Sequence, residues 1–162
     1  MPTPATISAG TFDAAARISE RNAAFSPRKA PPDRWLLSAA VGSETVAFDA
    51  SWGAEPSGLP GPAELLAAAL AACLLKNLAR TSDLLGFSFE DAEVEVTARR
   101  QDRPPRFVEV AYSVRITTDE PERRVELVHT NLRKYGTVVN TLAAACDVHG
   151  EVVAVRPTDG LT

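Results

Sequence analysis

An α+β domain is predicted by the order of patterns along the chain: paired strands, one long apolar helix, two alternating strands, two short helical stretches and a closing strand. Three observations carry this reading. The segment GPAELLAAALAACLLKNLAR (61–80) is helical in composition and has no polar side chain from Leu65 to Leu75. Two segments after Gly86 alternate apolar and polar residues with a period of two. A third, starting near Asp119, repeats apolar residues at helical spacing.

Length and composition bound the rest. With 162 residues, the chain suits one domain. Hydrophobic residues make up 45% and charged residues 23%, a globular balance. The formal net charge is −4, and the bases are scattered, which argues against nucleic acid as a partner. The uncharged apolar run Leu65–Leu75 is too short to cross a bilayer, so no membrane partner is expected. MPTPATISAG at the start shows neither a basic nor an apolar signal region, and a cytoplasmic location is expected. Cys73 and Cys146 are too few for a disulfide framework or a metal cluster.

Residues 1–32 hold five prolines and read as an N-terminal arm, with Asp13 to Phe25 as a candidate Ala-rich helix behind Thr11. Residues 33–162 read as the single domain. Arg34 to Ala40 and Glu44 to Ala50 flank a Val41-Gly42-Ser43 turn signal and predict a hairpin. Gly53 to Pro62 is a loop by composition. Pro62 then suits the first turn of a helix, and Glu64 places an acid at the positive end of its dipole. A helix apolar on every face requires cover on every face, which implies a second subunit.

Ala92, Val94, Val96 and Ala98 share one strand face, and Val108, Val110, Tyr112, Val114 and Ile116 share another. With the polar link Gln101 to Arg106, the pair predicts an antiparallel hairpin with one wet face. In DEPERRVELVHTNLRKY (119–135), Asp119 is a candidate N-cap with Glu122 three residues on. Val125, Val128, Leu132 and Tyr135 mark the expected buried stripe, and Gly136 ends the helix. Thr137 to Ala145 predicts a second short helix, and Val148 to Arg156 a final strand.

Candidate chemistry is sparse. His129 and His149 lack the spacing of zinc ligands and read as partly exposed surface residues, so no metal or cofactor is expected. No phosphate-binding glycine loop and no GxSxG motif is present. Cys146 follows an Ala run and reads as a small buried residue. Cys73, inside the apolar helix, reads by spacing alone as core packing.

The segment 61–80 nevertheless resembles the signature of the OsmC/Ohr family, the osmotically inducible and organic-hydroperoxide-resistance proteins. That signature is an Asn-Pro-(acid)-x-Leu start, an Ala-rich helix and a cysteine ten residues after the acid. Pro62, Leu65, the Ala-rich helix and Cys73 fall in register with it, and Val138 to Leu142 (VVNTL) resembles a second family stretch. The resemblance runs from about Arg34 to Arg156. It implies an OsmC-like fold, with antiparallel sheets wrapped around a long buried central helix in an intertwined homodimer. It also implies a thiol site at the subunit interface, where a first cysteine attacks an organic hydroperoxide and a second closes a disulfide that an external thiol reopens.

Three departures accompany the resemblance. The family's second cysteine aligns with Gly136, its glutamate with Ala63, and its arginine with Ser51. Cys73 is therefore the retained site cysteine. Lys76 and Asn77 lie three and four residues on and share its helix face. Lys76 either replaces the missing positive charge or reaches out to solvent. Three readings follow: a one-cysteine, weakened hydroperoxide reductase that uses an external thiol, a non-catalytic protein that holds a small apolar ligand in the interface cleft, or a purely structural role.

Overall fold

The computed structural model describes residues 11–18, 36–41, 44–49 and 58–157. Alternation builds the main sheet. In β4 (Asp91–Asp102), Ala92, Val94, Val96 and Ala98 are buried while Glu93, Glu95 and Arg99 face solvent. In β5 (Pro105–Thr117), Val110, Tyr112, Val114 and Ile116 are buried opposite them. The two strands pair antiparallel with Val94 against Val114, and a bulge falls between Arg99 and Arg100. The expected hairpin with one wet face is present.

The N-terminal region departs from the sequence reading. Thr11–Ile18 forms strand β1, antiparallel to β4 with Thr11 opposite Arg99 and Ile18 opposite Ala92. The helix expected from Asp13 is thus a strand over residues 13–18, and 19–25 lie outside the described residues. Alanine's helix propensity is a weak prior, and an unpaired β4 edge outweighs it. β2 (Leu36–Val41) and β3 (Glu44–Asp49) form the expected hairpin as a separate two-stranded sheet. The Asp49 N–H donates to the Pro60 carbonyl at 3.0 Å, which ties that hairpin to the chain entering the long helix.

That helix, α1 (Pro62–Leu85), runs 24 residues. Its inward stripe is Ala67, Leu70, Ala71, Leu74, Leu75, Leu78 and Thr81, at three- and four-residue spacing against β1 and β4. Ala68, Ala69, Ala72, Lys76, Ala79 and Arg80 face outward. The described residues therefore cover only one side of the helix. By length and composition α1 is long and apolar enough to cross a bilayer, yet its leucines Leu70, Leu74 and Leu78 are fully buried against the sheet. Each such side chain contributes about 1.5–3 kcal/mol by leaving water, which marks a core helix.

Gly86, with φ 58°, closes α1 in the left-handed conformation that glycine adopts without strain. No basic residue occupies the last turn. Arg124 serves instead from the next helix, donating to the carbonyls of Leu85 at 2.8 Å and Gly86 at 2.9 Å while pairing with Glu120 at 2.9 Å.

α2 (Glu122–Tyr135) buries Val125, Val128 and Leu132 as expected. Two details differ. Pro121, not Asp119, is the cap residue, and its carbonyl accepts from the Arg124 and Val125 amides. Proline's extended ψ of 150° sets the helix start, and Asp119 pairs with Arg156 at 3.4 Å. Tyr135 remains 47% exposed because it lies past the core edge, with Arg80 and Lys134 over its ring. α3 (Thr137–Ala143) follows after the single residue Gly136. β6 (Asp147–Val155) then pairs parallel to β5, Val110 opposite Val148. The α2–α3 crossover imposes that direction, so the sheet β1-β4-β5-β6 is antiparallel except at its last pair.

Candidate functional site

The site begins with how α1 starts. Pro62 occupies the first turn, and the Glu64 carboxylate folds back to accept the Gly61 N–H at 3.1 Å. The first-turn acid is thus engaged by its own helix end. Ala63 brings no charge to the position where the resemblance places a glutamate. Ser51, matched to the family arginine, lies outside the described residues.

Cys73 sits three turns into α1, half-buried, with a free thiol. Asn77, one turn on, donates Nδ2–H to the Cys73 carbonyl at 3.0 Å, with the sulfur 3.5 Å from the same nitrogen. The sulfur opens on a cavity of about 620 Å³ lined by Ala69, Ala72, Cys73, Lys76, Asn77 and Arg80, with Asp83, Thr137 and Val138 completing the wall. The structure brings the two site residues expected from the sequence, Cys73 and Lys76, to one cavity. Lys76 is exposed there.

Sequence reasoning missed Arg80. It lies seven residues after Cys73, so it continues the same helix line, and that spacing was the available signal. Its guanidinium stands 5.2 Å from the centre of the Tyr135 ring, which joins α1 to the end of α2.

The far wall holds Gly136, the position where the resemblance places the family's second cysteine. Thr137 and Val138 line the cavity, so Gly136 lies at its edge. A Cβ at Gly136 would meet the Leu132 carbonyl oxygen at 2.7 Å and a Val139 methyl at 2.8 Å. The close approach of α2 and α3 leaves room for glycine alone. Cys146 is also free and half-buried, its Sγ 3.4 Å from the Leu142 carbonyl. Burial pushes its thiol up, and the neighbouring Asp147 adds to the effect.

The histidines stand apart from this cavity. His129 is more engaged than its sequence position implied: its Nε2 lies 3.0 Å from the Tyr112 hydroxyl, and the rings meet edge to face. Burial and then the Arg133 charge lower its basicity, while Glu151 opposes them. Burial raises the Tyr112 phenol. His149 is exposed between Asp147 at 3.2 Å and Glu109 at 3.6 Å. No cluster of three His, Cys, Asp or Glu side chains suited to a metal ion occurs among the described residues.

Solved structures of other proteins share this architecture. An OsmC-like protein from Mycoplasma pneumoniae superposes with a TM-score of 0.65 at 15% identity, covering 96% of this chain and 100% of that one. An organic hydroperoxide resistance protein OsmC from Legionella pneumophila gives 0.59 at 21% identity over 76% of this chain and 99% of that one. The organic hydroperoxide resistance protein OhrB of Bacillus subtilis gives 0.52 at 15% identity over 73% and 96%. At these identities the likeness establishes the fold. No curated protein matches the sequence. The family model described as OsmC-like protein matches residues 55–150, a span that takes in α1, Cys73 and the α2–α3 wall of the cavity, and the chain therefore belongs to the OsmC-like family.

Proposed function

We propose that this protein serves in the response to oxidative stress as a one-cysteine thiol protein, with Cys73 as its nucleophile toward organic hydroperoxides. The observation that carries the reading is the half-buried Cys73 thiol opening on a cavity that also holds Lys76 and Arg80. Two of the structural neighbours are named organic hydroperoxide resistance proteins, which agrees with it.

The thiolate sulfur attacks the terminal peroxide oxygen. An S–O bond forms, the O–O bond breaks, and the alkoxide leaves and takes a proton to become the alcohol. Cys73 is left as the sulfenic acid. Asn77 holds an amide donor 3.5 Å from the reacting sulfur, and Lys76 lines the same cavity. Ala63 provides no carboxylate to order these groups, and the first turn's acid is engaged at Gly61, so turnover is slow compared with a fully equipped two-cysteine relative. An external thiol completes the cycle, because Gly136 brings no second sulfur.

A homodimer belongs to the same proposal. The outward face of α1 sets the small apolar residues Ala68, Ala69, Ala72 and Ala79 around Lys76 and Arg80, and Leu84 is 65% exposed beside it. A second copy laid on this face covers the helix and walls the cleft over Cys73, leaving its mouth at Lys76 and Arg80 open to solvent. The second reading, a binding protein for a small apolar ligand, is favoured by the Ala69, Ala72 and Val138 walls of the same cavity.

Trapping separates the two readings. After one equivalent of an alkyl hydroperoxide, a dimedone-type reagent should label Cys73 and leave Cys146 unlabelled. An unlabelled Cys73, with the hydroperoxide intact, would remove the thiol chemistry and leave ligand binding.

A further inference from the structure

Among the described residues, the cavity mouth carries more positive than negative charge. Lys76 and Arg80 follow Cys73 at three and seven residues on one line of α1, running from the sulfur toward the rim. Lys134 on α2 lies outside the cavity lining, its ammonium 5.2 Å from the same Tyr135 ring that Arg80 covers. Among the described residues none of these three cations pairs with a carboxylate, whereas Arg99, Arg100, Arg124 and Arg156 all do. Asp83 is the single acid in the cavity wall, so the mouth is net positive.

We infer that this mouth selects an anionic thiol, one bearing a carboxylate, as the reductant of oxidised Cys73. The inference rests on the thiol chemistry proposed above. A sulfenic acid at Cys73 has no neighbouring sulfur to resolve it: a side chain at Gly136 is blocked by the Leu132 carbonyl, and Cys146 points to Leu142. The resolving sulfur must enter from solvent past Lys76 and Arg80. The incoming thiolate displaces the sulfenic hydroxyl, which leaves as water with one proton, and an S–S bond forms. A second molecule of the same thiol then attacks the mixed disulfide, leaves as part of the small-molecule disulfide and returns Cys73 as a thiol. Throughout, the carboxylate of the reductant sits against the cations while its sulfur reaches Cys73.

The test loads Cys73 without any peroxide. In full-length protein carrying Cys146→Ser, methyl methanethiosulfonate converts Cys73 to its neutral S-methyl disulfide. Return of the free thiol is then timed by mass spectrometry with 3-mercaptopropionate, 2-mercaptoethanol and cysteamine, each rate corrected for its thiolate fraction and referred to a small-molecule S-methyl disulfide. The anionic thiol should lead the cationic one by about tenfold at low salt, and the lead should shrink at high salt, as screened charges require. Lys76→Met with Arg80→Met, both exposed positions, should bring the ratio to that of the small-molecule disulfide. Equal rates in the unsubstituted mouth, or a lead that survives the double substitution, would overturn the inference. Because loading is chemical, this outcome is independent of whether Cys73 attacks hydroperoxides, which the dimedone experiment decides separately.

Discussion

Asn77 Nδ2 lies 3.0 Å from the backbone oxygen of Cys73 and 3.5 Å from its sulfur, so one amide group bridges a helix carbonyl and a thiol. The long sulfur contact is within the range of a weak donor to sulfur, and it strengthens once the sulfur is negative. Asn77→Leu should therefore slow alkylation of Cys73 by iodoacetamide about three- to tenfold at neutral pH, the scale of one modest hydrogen bond. Asn77→Asp should slow it further by placing a carboxylate beside the thiolate. Unchanged rates in both variants would show that the amide serves the helix alone.

Gly136 is set by space. A methyl group there meets the Leu132 carbonyl at 2.7 Å, and neither that backbone atom nor β-branched Val139 gives way easily. Gly136→Ala and Gly136→Cys should each cost about 1–3 kcal/mol, the range for overpacking. In a domain of this size that corresponds to a fall of several degrees in Tm, about 2–4 °C per kcal/mol. Thermal melts of the two variants against the wild type check this, and an unchanged Tm in both would show that the α2–α3 corner yields.

The pH dependence follows from His129. Burial and Arg133 hold its folded-state basicity below the ordinary value, so the unfolded chain takes up the proton first. The contribution to stability is complete above the ordinary histidine value of 6.5 and is lost as pH falls from there through the lower folded value. Thermal melts of the wild type from pH 7.5 down to 5 should show this loss, and His129→Gln should flatten it. A slope that is the same in both proteins would assign the pH response to other groups.

Assembly can be separated from folding on α1 itself. Leu70 is fully buried within one chain, so Leu70→Asp places an unpaired charge in the core and should unfold the protein. Ala72 faces outward. Ala72→Glu should leave circular dichroism intact while sedimentation equilibrium shows the mass fall from two chains to one. A wild type that sediments as a folded monomer would contradict the dimer.

Much of this architecture was legible in the sequence because it rests on periodicity. Val94 and Val96 in β4, and Val125, Val128 and Leu132 in α2, face inward at the predicted spacing. What was illegible depends on partners distant in sequence. Thr11–Ile18 is a strand because β4 offers it an edge, which no local window of Ala-rich sequence reveals. Asp119 has the chemistry of a cap, yet the chain turns at Pro121. At the site, Cys73 and Lys76 could be named from spacing and resemblance, and Arg80 was available from the same spacing. Its place over Tyr135 required the packing of α1 against α2. The glycine at 136 read as a helix stop, while its steric necessity emerged only with Leu132 and Val139 in place.

The most direct test of Cys73 as the reacting thiol is stopped-flow consumption of an alkyl hydroperoxide by the full-length protein with excess 3-mercaptopropionate. Slow turnover is expected, and it should vanish in Cys73→Ser, persist in Cys146→Ser and fall in Lys76→Met. Turnover that continues unchanged in Cys73→Ser, or that requires Cys146, would contradict that role.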